Sequence, residues 1–457
     1  MYSLDINEKQ FNDWLDEVRV FSEEFLRELP KKWAYKNQEK FLLEKKSPFL
    51  EPHAFRDVLS EFKSLLEAGG VNTASGKFMG YIPGGGVPTA AIGDFLAALT
   101  NRFSGMFYTS PGAQKIENDL IKWMCELFGY PETAWGTLTS GGAIANLTAI
   151  LAAREKVPFP LWTNHVIYLS SECHMTIDRA LKVAGLEFIA TRKIPVDLNF
   201  RMDLNALEDQ MSRDAREGLR PWMICANAGA TNLGSIDPLE EIGRLCQRHG
   251  IWFHVDAAYG GFFILTNRGK RKLRGIEFAD SITLDPHKGL FQPYGVGAVI
   301  VKDRENLRKA VSQSASYLAE TNSSEISQSD YSLELTRHFR ALRVWLSLKI
   351  FSEKAFEFTL NEKLELTKIA REGILRTPGL KLIVDEPELS VLGFHAINND
   401  VTQKLHKEIL RRGKVYLSTT NVRGKHIIRI CILSFRTHKA ELDICIGEVR
   451  EALAAIA

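Results

Sequence analysis

The sequence predicts an α/β protein whose large domain is built on a mostly parallel sheet. Between about residues 112 and 310, short apolar runs alternate with stretches of helical periodicity, as in parallel strands covered by helices. The chain has 457 residues, of which 45% are hydrophobic, enough for two or three domains with a sizeable core. We expect an N-terminal helical segment over residues 1–85, a large domain over 86–355 and a small C-terminal α+β domain over 356–457.

The N-terminal segment is expected to be helical and to contact a partner subunit. Apolar residues at helical spacing predict a helix over residues 1–30, which Pro30 ends. A second helix is predicted over residues 52–68 and ends at Gly69 and Gly70. Both helices carry a broad apolar face before any strand begins, so we expect another subunit to cover that face.

Six strands are predicted in the large domain, with helices between them. The candidate strands are residues 136–139, 166–170, 222–226, 251–255, 281–284 and 297–301. A helix over residues 238–248 is typical of the intervening elements. Asp237 is a favourable N-cap for it, Pro238 suits its first turn and Gly250 suits its end.

The serine-rich stretch 312–330 interrupts this alternation and is predicted to be a mobile lid. A long helix over residues 333–351 is expected to follow it. The small domain is predicted to contain helices over 357–376 and 401–412 and strands over 380–384, 391–397, 415–418 and 427–432.

Composition and charge exclude several classes of function. The net charge is +2 with acids and bases interspersed, which argues against binding nucleic acid or an anionic membrane. No window approaches the ~18 apolar residues of a membrane span. The six cysteines form no Cys-x-x-Cys pair, which argues against a zinc site and suits a reducing compartment. Since the N-terminus also lacks the basic and apolar parts of a signal peptide, we expect a cytoplasmic protein.

A lysine and an aspartate follow two of the predicted strands. Lys288 ends the tetrapeptide Asp285-Pro286-His287-Lys288, just after strand 281–284, and Asp256 follows strand 251–255. The carboxyl ends of parallel strands are where α/β sheets bind ligands. This pair suits pyridoxal phosphate, which bonds to a lysine and needs an acid beside its pyridine nitrogen. The alternatives are a surface lysine and a helix N-cap.

Two further features suit the same cofactor. The turn Gly141-Gly142-Ala143 joins strand 136–139 to a helix, and amides at such a turn bind anions such as phosphate. His174 follows strand 166–170, where its imidazole could stack on the cofactor ring. A glycine turn alone is weak evidence, and a lone histidine is more often a satisfied polar residue. No Gly-x-Ser-x-Gly, His-Glu-x-x-His or phosphate-binding Gly-x-x-x-x-Gly-Lys motif is present, and no metal is expected.

In this order and sequence context, the chain resembles the group II pyridoxal-phosphate-dependent amino-acid decarboxylases, which include the aromatic-amino-acid, glutamate and histidine decarboxylases. The resemblance covers residues 75–350 well and is carried by several stretches. These are Tyr81-Ile82-Pro83, residues 139–142, 151–154 and 228–231, His174, residues 254–259 and residues 285–288. The resemblance implies a type I (aspartate aminotransferase-like) fold and a homodimer with active sites at the interface.

The resemblance also implies roles for particular residues. Lys288 corresponds to the Schiff-base lysine and Asp256 to the partner of the pyridine nitrogen. The remaining cofactor contacts that it implies are Gly142 and Ala143 at the phosphate, Ala258 and His174 on the two ring faces, Thr231 near the ring, and His287 beside the lysine.

Tyr317, in the predicted lid, corresponds to the tyrosine that returns a proton to the substrate carbon after decarboxylation. The chain departs from its relatives at two positions. Ala143 stands where serine is frequent, which removes a hydroxyl near the phosphate. Asp285 stands where asparagine is frequent, which removes an amide and would add a carboxylate near the phosphate, so we expect its side chain to point elsewhere.

The expected substrate is an L-amino acid with an aromatic or bulky apolar side chain. Tyr81, Ile82 and Phe107 are the candidate pocket residues. An acidic substrate remains an alternative, as does a carbon–carbon lyase or an aldehyde-forming enzyme on the same fold. For a lyase acting on a phosphorylated substrate, Arg337 and Arg340 are the candidate phosphate ligands.

Overall fold

The computed structural model describes residues 4–37, 51–157, 164–312 and 325–456. Tyr317 and most of the predicted lid lie outside these ranges. No helix within them is long and apolar enough to cross a membrane.

The described ranges contain helices and strands in the order that the sequence pattern indicates. The helices are α1 Glu8–Glu28, α2 Phe55–Glu67, α3 Pro88–Thr100, α4 Pro111–Leu127, α5 Gly142–Arg154, α6 Met175–Val183, α7 Leu204–Arg216, α8 Leu239–His249, α9 Asn267–Lys272, α10 Pro286–Gly289, α11 Arg304–Val311, α12 Ala341–Leu375, α13 Asn399–Arg412 and α14 Lys439–Ile456. The strands are β1 Tyr35–Lys36, β2 Gly70–Val71, β3 Trp135–Thr139, β4 His165–Ser170, β5 Ala190–Ile194, β6 Arg220–Asn227, β7 Trp252–Asp256, β8 Ser281–Leu284, β9 Gly297–Val301, β10 Lys381–Leu382, β11 Val391–His395, β12 Ser418–Val422 and β13 Lys425–Cys431.

The large domain is built on a seven-stranded sheet with strand order β3-β9-β8-β7-β6-β4-β5. Only β9 is antiparallel to its neighbours, so the predicted mostly parallel sheet is confirmed. In the register, Asp256 pairs with Asn227 on one side and with Thr283 on the other. The carboxyl ends of β6, β7 and β8 therefore lie side by side, and polar residues at these ends meet at one edge.

All six strands predicted for the large domain are present, but β5 was not predicted. Its sequence, Ala-Thr-Arg-Lys-Ile, carries two charged residues and lies at the sheet edge. The predicted N-cap role of Asp237 is wrong, because α8 is capped at Pro238. The buried Asp237 carboxylate instead accepts hydrogen bonds from the amides of Met202 and Asn227.

The predicted helix over 333–351 begins later than expected, at Ala341, and continues as α12 with a bend at Ser352 (φ 58°, ψ 165°). The stretch before it is irregular because Arg337 is drawn into the core. The Arg337 side chain pairs there with Glu117 at 2.6 Å, and both side chains are fully buried. The bend at Ser352 matches the predicted break between helices 333–351 and 357–376.

The small domain has the antiparallel sheet β10-β11-β13-β12, packed against α13, α14 and the second half of α12. The predicted α+β unit is therefore present. The strand predicted over 415–418 is displaced, because β12 begins at Ser418. Tyr416 instead forms a parallel bridge with Phe78, which joins the small domain to the glycine-rich loop near residue 81.

Helices α1 and α2 pack against each other through their aromatic faces. The rings of Trp14 and Phe55 stack at 5.1 Å, and those of Phe21 and Phe62 lie 5.9 Å apart. Neither helix buries a single residue within the chain. The helical N-terminal segment is as predicted, and its apolar surface remains open in the single chain.

Candidate active site

A cavity of about 260 Å³ lies at the carboxyl edge of the large sheet. Strands and turns that are far apart in the sequence bring polar side chains to its wall. All of the residues predicted to contact the cofactor line this cavity: Gly142, Ala143, His174, Thr231, Asp256, Ala258, His287 and Lys288. The strand-end argument thus predicts that Lys288, Asp256 and His174 meet, whereas the roles of the eight residues stay predictions.

Lys288 lies one turn beyond β8, in the short helix α10 that Pro286 begins. Its Nζ atom is 2.8 Å from Oδ2 of Asp285. Burial alone would lower the pKa of Lys288, but the carboxylates of Asp285 and Asp256 outweigh burial and raise it. Before the cofactor binds, the lysine is therefore held as an ammonium ion.

The glycine turn leaves free amides at the start of α5. The amides of Ile144 and Ala145 both donate to the carbonyl of Gly141, which makes them the first hydrogen-bonded amides of the helix. The amides of Gly142 and Ala143 precede that first bond, where helix amides have no acceptor within the helix. A Cβ atom on Gly142 would lie 3.0 Å from a carboxylate oxygen of Asp285, so glycine keeps the turn open. These amides and the helix dipole suit an anion.

Asp256 is held by donors on both oxygens. Its Oδ1 accepts the backbone amide of Ala258 at 3.1 Å, and its Oδ2 accepts Nδ2 of Asn146 at 3.0 Å. Only 8% of Asp256 is exposed. Both contacts come from N–H donors, so they fix the orientation of the carboxyl group toward the cavity.

A chain of buried hydrogen bonds lies behind Asp256. The indole of Trp252 donates to the Ser281 hydroxyl at 2.9 Å, and that hydroxyl lies 2.8 Å from Nδ1 of His254. Nε2 of His254 is 3.2 Å from the side-chain oxygen of Asn146, which can only accept. His254 therefore carries its proton on Nε2 and accepts from Ser281. Burial lowers the pKa of His254 to about 4, so the ring stays neutral. Each hydrogen bond of this series therefore keeps the same donor and acceptor.

The same asparagine connects to His174. Its Nδ2 also donates to the Thr176 hydroxyl at 3.0 Å, and that hydroxyl lies 2.9 Å from Nδ1 of His174. Burial lowers the pKa of His174, which favours a neutral ring. Asn146 thus orients both the acid and the imidazole of the site.

Sequence reasoning missed several residues that line the cavity: Asn146, Thr176, Asn227 and Tyr259. Asn227 ends β6, so the strand-end rule could have found it. Asn146 lies in an apolar helix, where a buried asparagine needs partners, and that is the signal it offered.

The predicted substrate residues Tyr81, Ile82 and Phe107 do not line the cavity of the single chain. The loop that carries Tyr81 nevertheless packs on the lysine turn. A Cβ atom on Gly84 would collide with the carbonyl oxygen of His287, so this close approach requires glycine. Their role as substrate residues stays a prediction, as does that of Tyr317 outside the described residues.

The donor set fits pyridoxal phosphate. The cavity offers a lysine, a carboxylate held by N–H donors, an imidazole and an anion-binding turn. Within the described ranges, no cluster of histidine, cysteine and acidic side chains is arranged to hold a metal ion.

A family model described as the pyridoxal-dependent decarboxylase conserved domain matches residues 37–397. The chain belongs to this decarboxylase family. The match confirms the predicted family, the pyridoxal phosphate cofactor and the assignment as a carboxy-lyase acting on an amino acid.

Relatives of this decarboxylase with known activities cover most of its length. It is 36% identical to an aromatic-L-amino-acid decarboxylase of Bacillus atrophaeus over 377 residues, which are 80% of this chain and 78% of the relative. It is 30% identical to an L-2,4-diaminobutyrate decarboxylase of Acinetobacter baumannii, with 75% and 73% of the two chains covered. The crystal structure of Oryza sativa TDC with PLP and tryptamine matches with a TM-score of 0.93 at 20% identity, over 100% of both chains. The type I fold is thereby confirmed.

Proposed function

We propose that this decarboxylase converts an L-amino acid with an aromatic or bulky apolar side chain into the corresponding amine and CO₂. The observation that carries the proposal is the cavity in which Lys288, Asp256, His174 and the glycine turn meet. The substrate class is supported by the similarity to the Bacillus atrophaeus aromatic-L-amino-acid decarboxylase. We place the enzyme in the cytoplasm, since its six cysteines are free thiols.

Different residues of the cavity would bind the cofactor and hold protons at defined atoms. Gly142 and Ala143 would hold the phosphate, and Lys288 would hold the cofactor covalently. Asp256 would lie against the pyridine nitrogen and favour its protonated form, and His174 would orient the ring. The bound cofactor supplies an electron sink for the pair of electrons left when the carboxylate departs.

Tyr81 is tied to the rim of the cavity by a buried arginine. Arg429, 4% exposed, donates to the carbonyl of Tyr81 at 3.4 Å and also to the carbonyl of Thr231, which lines the cavity. The Tyr81 amide is bonded to the Ser418 hydroxyl at 3.0 Å, and its ring is 59% exposed. An aromatic ring at the rim favours an aromatic substrate.

The buried arginines that could bind an acidic or phosphorylated substrate already have ion-pair or hydrogen-bond partners within the chain. Arg337 is paired with Glu117, and the guanidinium of Arg340 is paired with Glu334. Arg429 is bonded to carbonyl and hydroxyl oxygens. None of these three offers a free cation to an acidic or phosphorylated substrate, which weighs against those alternatives.

The substrate is tested by measuring CO₂ release from the purified enzyme with each of the common L-amino acids in turn. We expect tryptophan, tyrosine, phenylalanine or dihydroxyphenylalanine to give the highest kcat/KM. A preference for glutamate, aspartate or diaminobutyrate would contradict the proposed substrate class.

We assign to Tyr317 the return of a proton to the substrate carbon. Tyr317→Phe should therefore divert the reaction toward oxidative deamination, in which dissolved O₂ is reduced to H₂O₂ and the products are aldehyde, ammonia and CO₂. A carbonyl assay and an ammonia assay detect these products. Amine formation at the wild-type rate by this variant would rule out the role.

We also propose that the enzyme is a homodimer whose interface includes the N-terminal helices. Helix α1 has 21 residues and buries none of them within the chain. The exposed apolar side chains of α1, α2 and α3 include Val18, Leu26, Phe62, Leu66, Ile92, Phe95 and Leu99. A patch of this kind supports burial against a second copy of the chain.

Light scattering of the purified enzyme tests the dimer. The wild type should have twice the mass of the chain, and Phe62→Glu should shift it toward the monomer. The control is Phe358→Glu, since Phe358 is 76% exposed on the part of α12 that follows the bend at Ser352. A monomeric wild type would refute the proposal.

A further inference from the structure

Asp285 is a buried carboxylate that is only half satisfied. Only 1% of it is exposed, at the end of β8. Its Oδ2 accepts from Nζ of Lys288 at 2.8 Å, whereas its Oδ1 has no hydrogen-bond partner among the described residues. A buried oxygen without a donor is costly, so its environment is expected to change when the site is filled.

His287 faces the same carboxylate with its second ring nitrogen. Nδ1 of His287 lies 2.6 Å from the carbonyl of Val296, which can only accept, so Nδ1 carries a proton. Nε2 then lies 3.6 Å from Oδ2 of Asp285. In a neutral imidazole, Nε2 would present a lone pair to the carboxylate. A proton shared between the two groups removes this repulsion.

Further titratable groups face Asp285 and Lys288 from neighbouring elements. Asp256 and Tyr294 both favour the charged form of Lys288. Asp285 itself favours the charged form of His174. The expectation that Asp285 points away from the phosphate turn is wrong, because a Cβ on Gly142 would be 3.0 Å from its Oδ2. A phosphate at that turn would bring roughly two negative charges beside the Asp285 carboxylate at neutral pH.

We propose that Asp285 couples cofactor binding to the uptake of one proton, which is held between Asp285 and His287 in the loaded enzyme. When the phosphate enters, its charge adds to that of the Asp285 carboxylate, and the single Lys288 ammonium no longer balances both anions. Two adjacent anions in a buried site are unfavourable, and a proton neutralises one of them. This inference rests on the proposed placement of the phosphate at the Gly142 turn.

The coupling predicts a specific pH dependence of affinity. One linked proton weakens binding by up to tenfold for each pH unit above the range in which the proton is held. The raised pKa of Lys288, in which its carboxylate partners outweigh burial, keeps the ammonium present across neutral pH. The part of the slope between about pH 7 and about pH 9 that Asp285→Asn removes would therefore come from the proton at Asp285 and His287.

The test uses cofactor-free enzyme and two probes. Pyridoxine 5′-phosphate has the phosphate but cannot bond to the lysine, and pyridoxal has the aldehyde but no phosphate. Calorimetric titration in two buffers of different ionisation enthalpy counts the protons that are taken up. For the wild type with pyridoxine 5′-phosphate, we expect uptake of about one proton and a pH-dependent Kd.

Asp285→Asn should take up about one proton fewer than the wild type and bind pyridoxine 5′-phosphate at least about tenfold more tightly near pH 9. Pyridoxal should show no such difference between the two proteins. Asp280→Asn is the matched control, because Asp280 precedes the opposite end of β8 and its carboxylate accepts the Phe253 amide. This control should keep the wild-type proton uptake.

Equal proton uptake by the wild type and Asp285→Asn would overturn the inference and leave the decarboxylase intact. Tight binding of pyridoxine 5′-phosphate by the wild type without proton uptake would overturn it as well. If the wild type bound neither pyridoxine 5′-phosphate nor pyridoxal phosphate, the proposed function would fail together with the inference.

Discussion

Asn146 is the residue on which the geometry of the active site depends most. It is 1% exposed and connects His254, Thr176 and Asp256 through its single amide group. Asn146→Leu keeps the number and branching of the side-chain heavy atoms but removes these hydrogen bonds. The variant therefore tests whether the buried chain supports catalysis or only the fold.

The size of the effect follows from the contact with Asp256. A hydrogen bond to a charged group contributes about 1.5–3 kcal/mol. If that contribution is needed to hold Asp256 against the pyridine nitrogen, kcat/KM should fall by roughly 10- to 150-fold. The unpaired His254 and Thr176 groups should also reduce the free energy of unfolding by about 1–3 kcal/mol.

The assay is CO₂ release at saturating pyridoxal phosphate, with the visible absorbance of the bound cofactor recorded in parallel. Thr148→Val is the control, because Thr148 is equally buried in α5 but bonds only the carbonyl of Ile144. The control should lose stability without a comparable loss of kcat/KM. The reasoning is refuted if Asn146→Leu, with cofactor bound, retains kcat/KM within about threefold of the wild type.

Three more predictions concern the core and the phosphate turn. Arg337→Met should lower the free energy of unfolding by about 3–5 kcal/mol in urea, because it leaves Glu117 charged and unpaired, and Glu117→Leu added to it should recover part of the loss. Since the folded-state pKa of His254 is about 4 against 6.5 for the free group, the unfolded state binds its proton first. The contribution of His254 to the free energy of unfolding is complete above about pH 6.5 and should fall by about 2 kcal/mol toward pH 5. His254→Gln should reduce this pH dependence. Gly142→Ala should weaken pyridoxal phosphate binding, measured by absorbance titration, because its Cβ would lie 3.0 Å from a carboxylate oxygen. Gly112→Ala has open space around it and should bind normally.

The position of the site could be predicted because it depends on strand ends. Asp256, Lys288 and His174 each follow an apolar run, and strands that run parallel bring such residues to one edge. The helical pattern and the resemblance to a family supplied the remaining contacts. Sequence patterns and the family resemblance together therefore predicted these residues of the cavity wall.

The parts that could not be predicted depend on contacts between distant segments. Leu335 and Phe339 have the spacing of a helix, but Arg337 between them pairs with Glu117, more than two hundred positions earlier. Strand β5 carries charged residues because it lies at the edge of the sheet, where one face is open.

Asn146 was missed for the same reason. The sequence around a single asparagine in an apolar helix does not indicate its hydrogen-bond partners. Only the fold shows that His254 and Asp256 are within hydrogen-bond distance. Likewise, the ion pair of Asp285 with Lys288 is local, whereas its position against Gly142 is a contact between two turns.

The covalent attachment of the cofactor to Lys288 is the central claim and can be measured directly. Purified enzyme loaded with pyridoxal phosphate is reduced with borohydride, digested and mapped by mass spectrometry. We expect the visible absorbance band to bleach and the added cofactor mass to fall on the peptide that contains Lys288. A label on a different lysine, or none at saturating pyridoxal phosphate, would contradict the account.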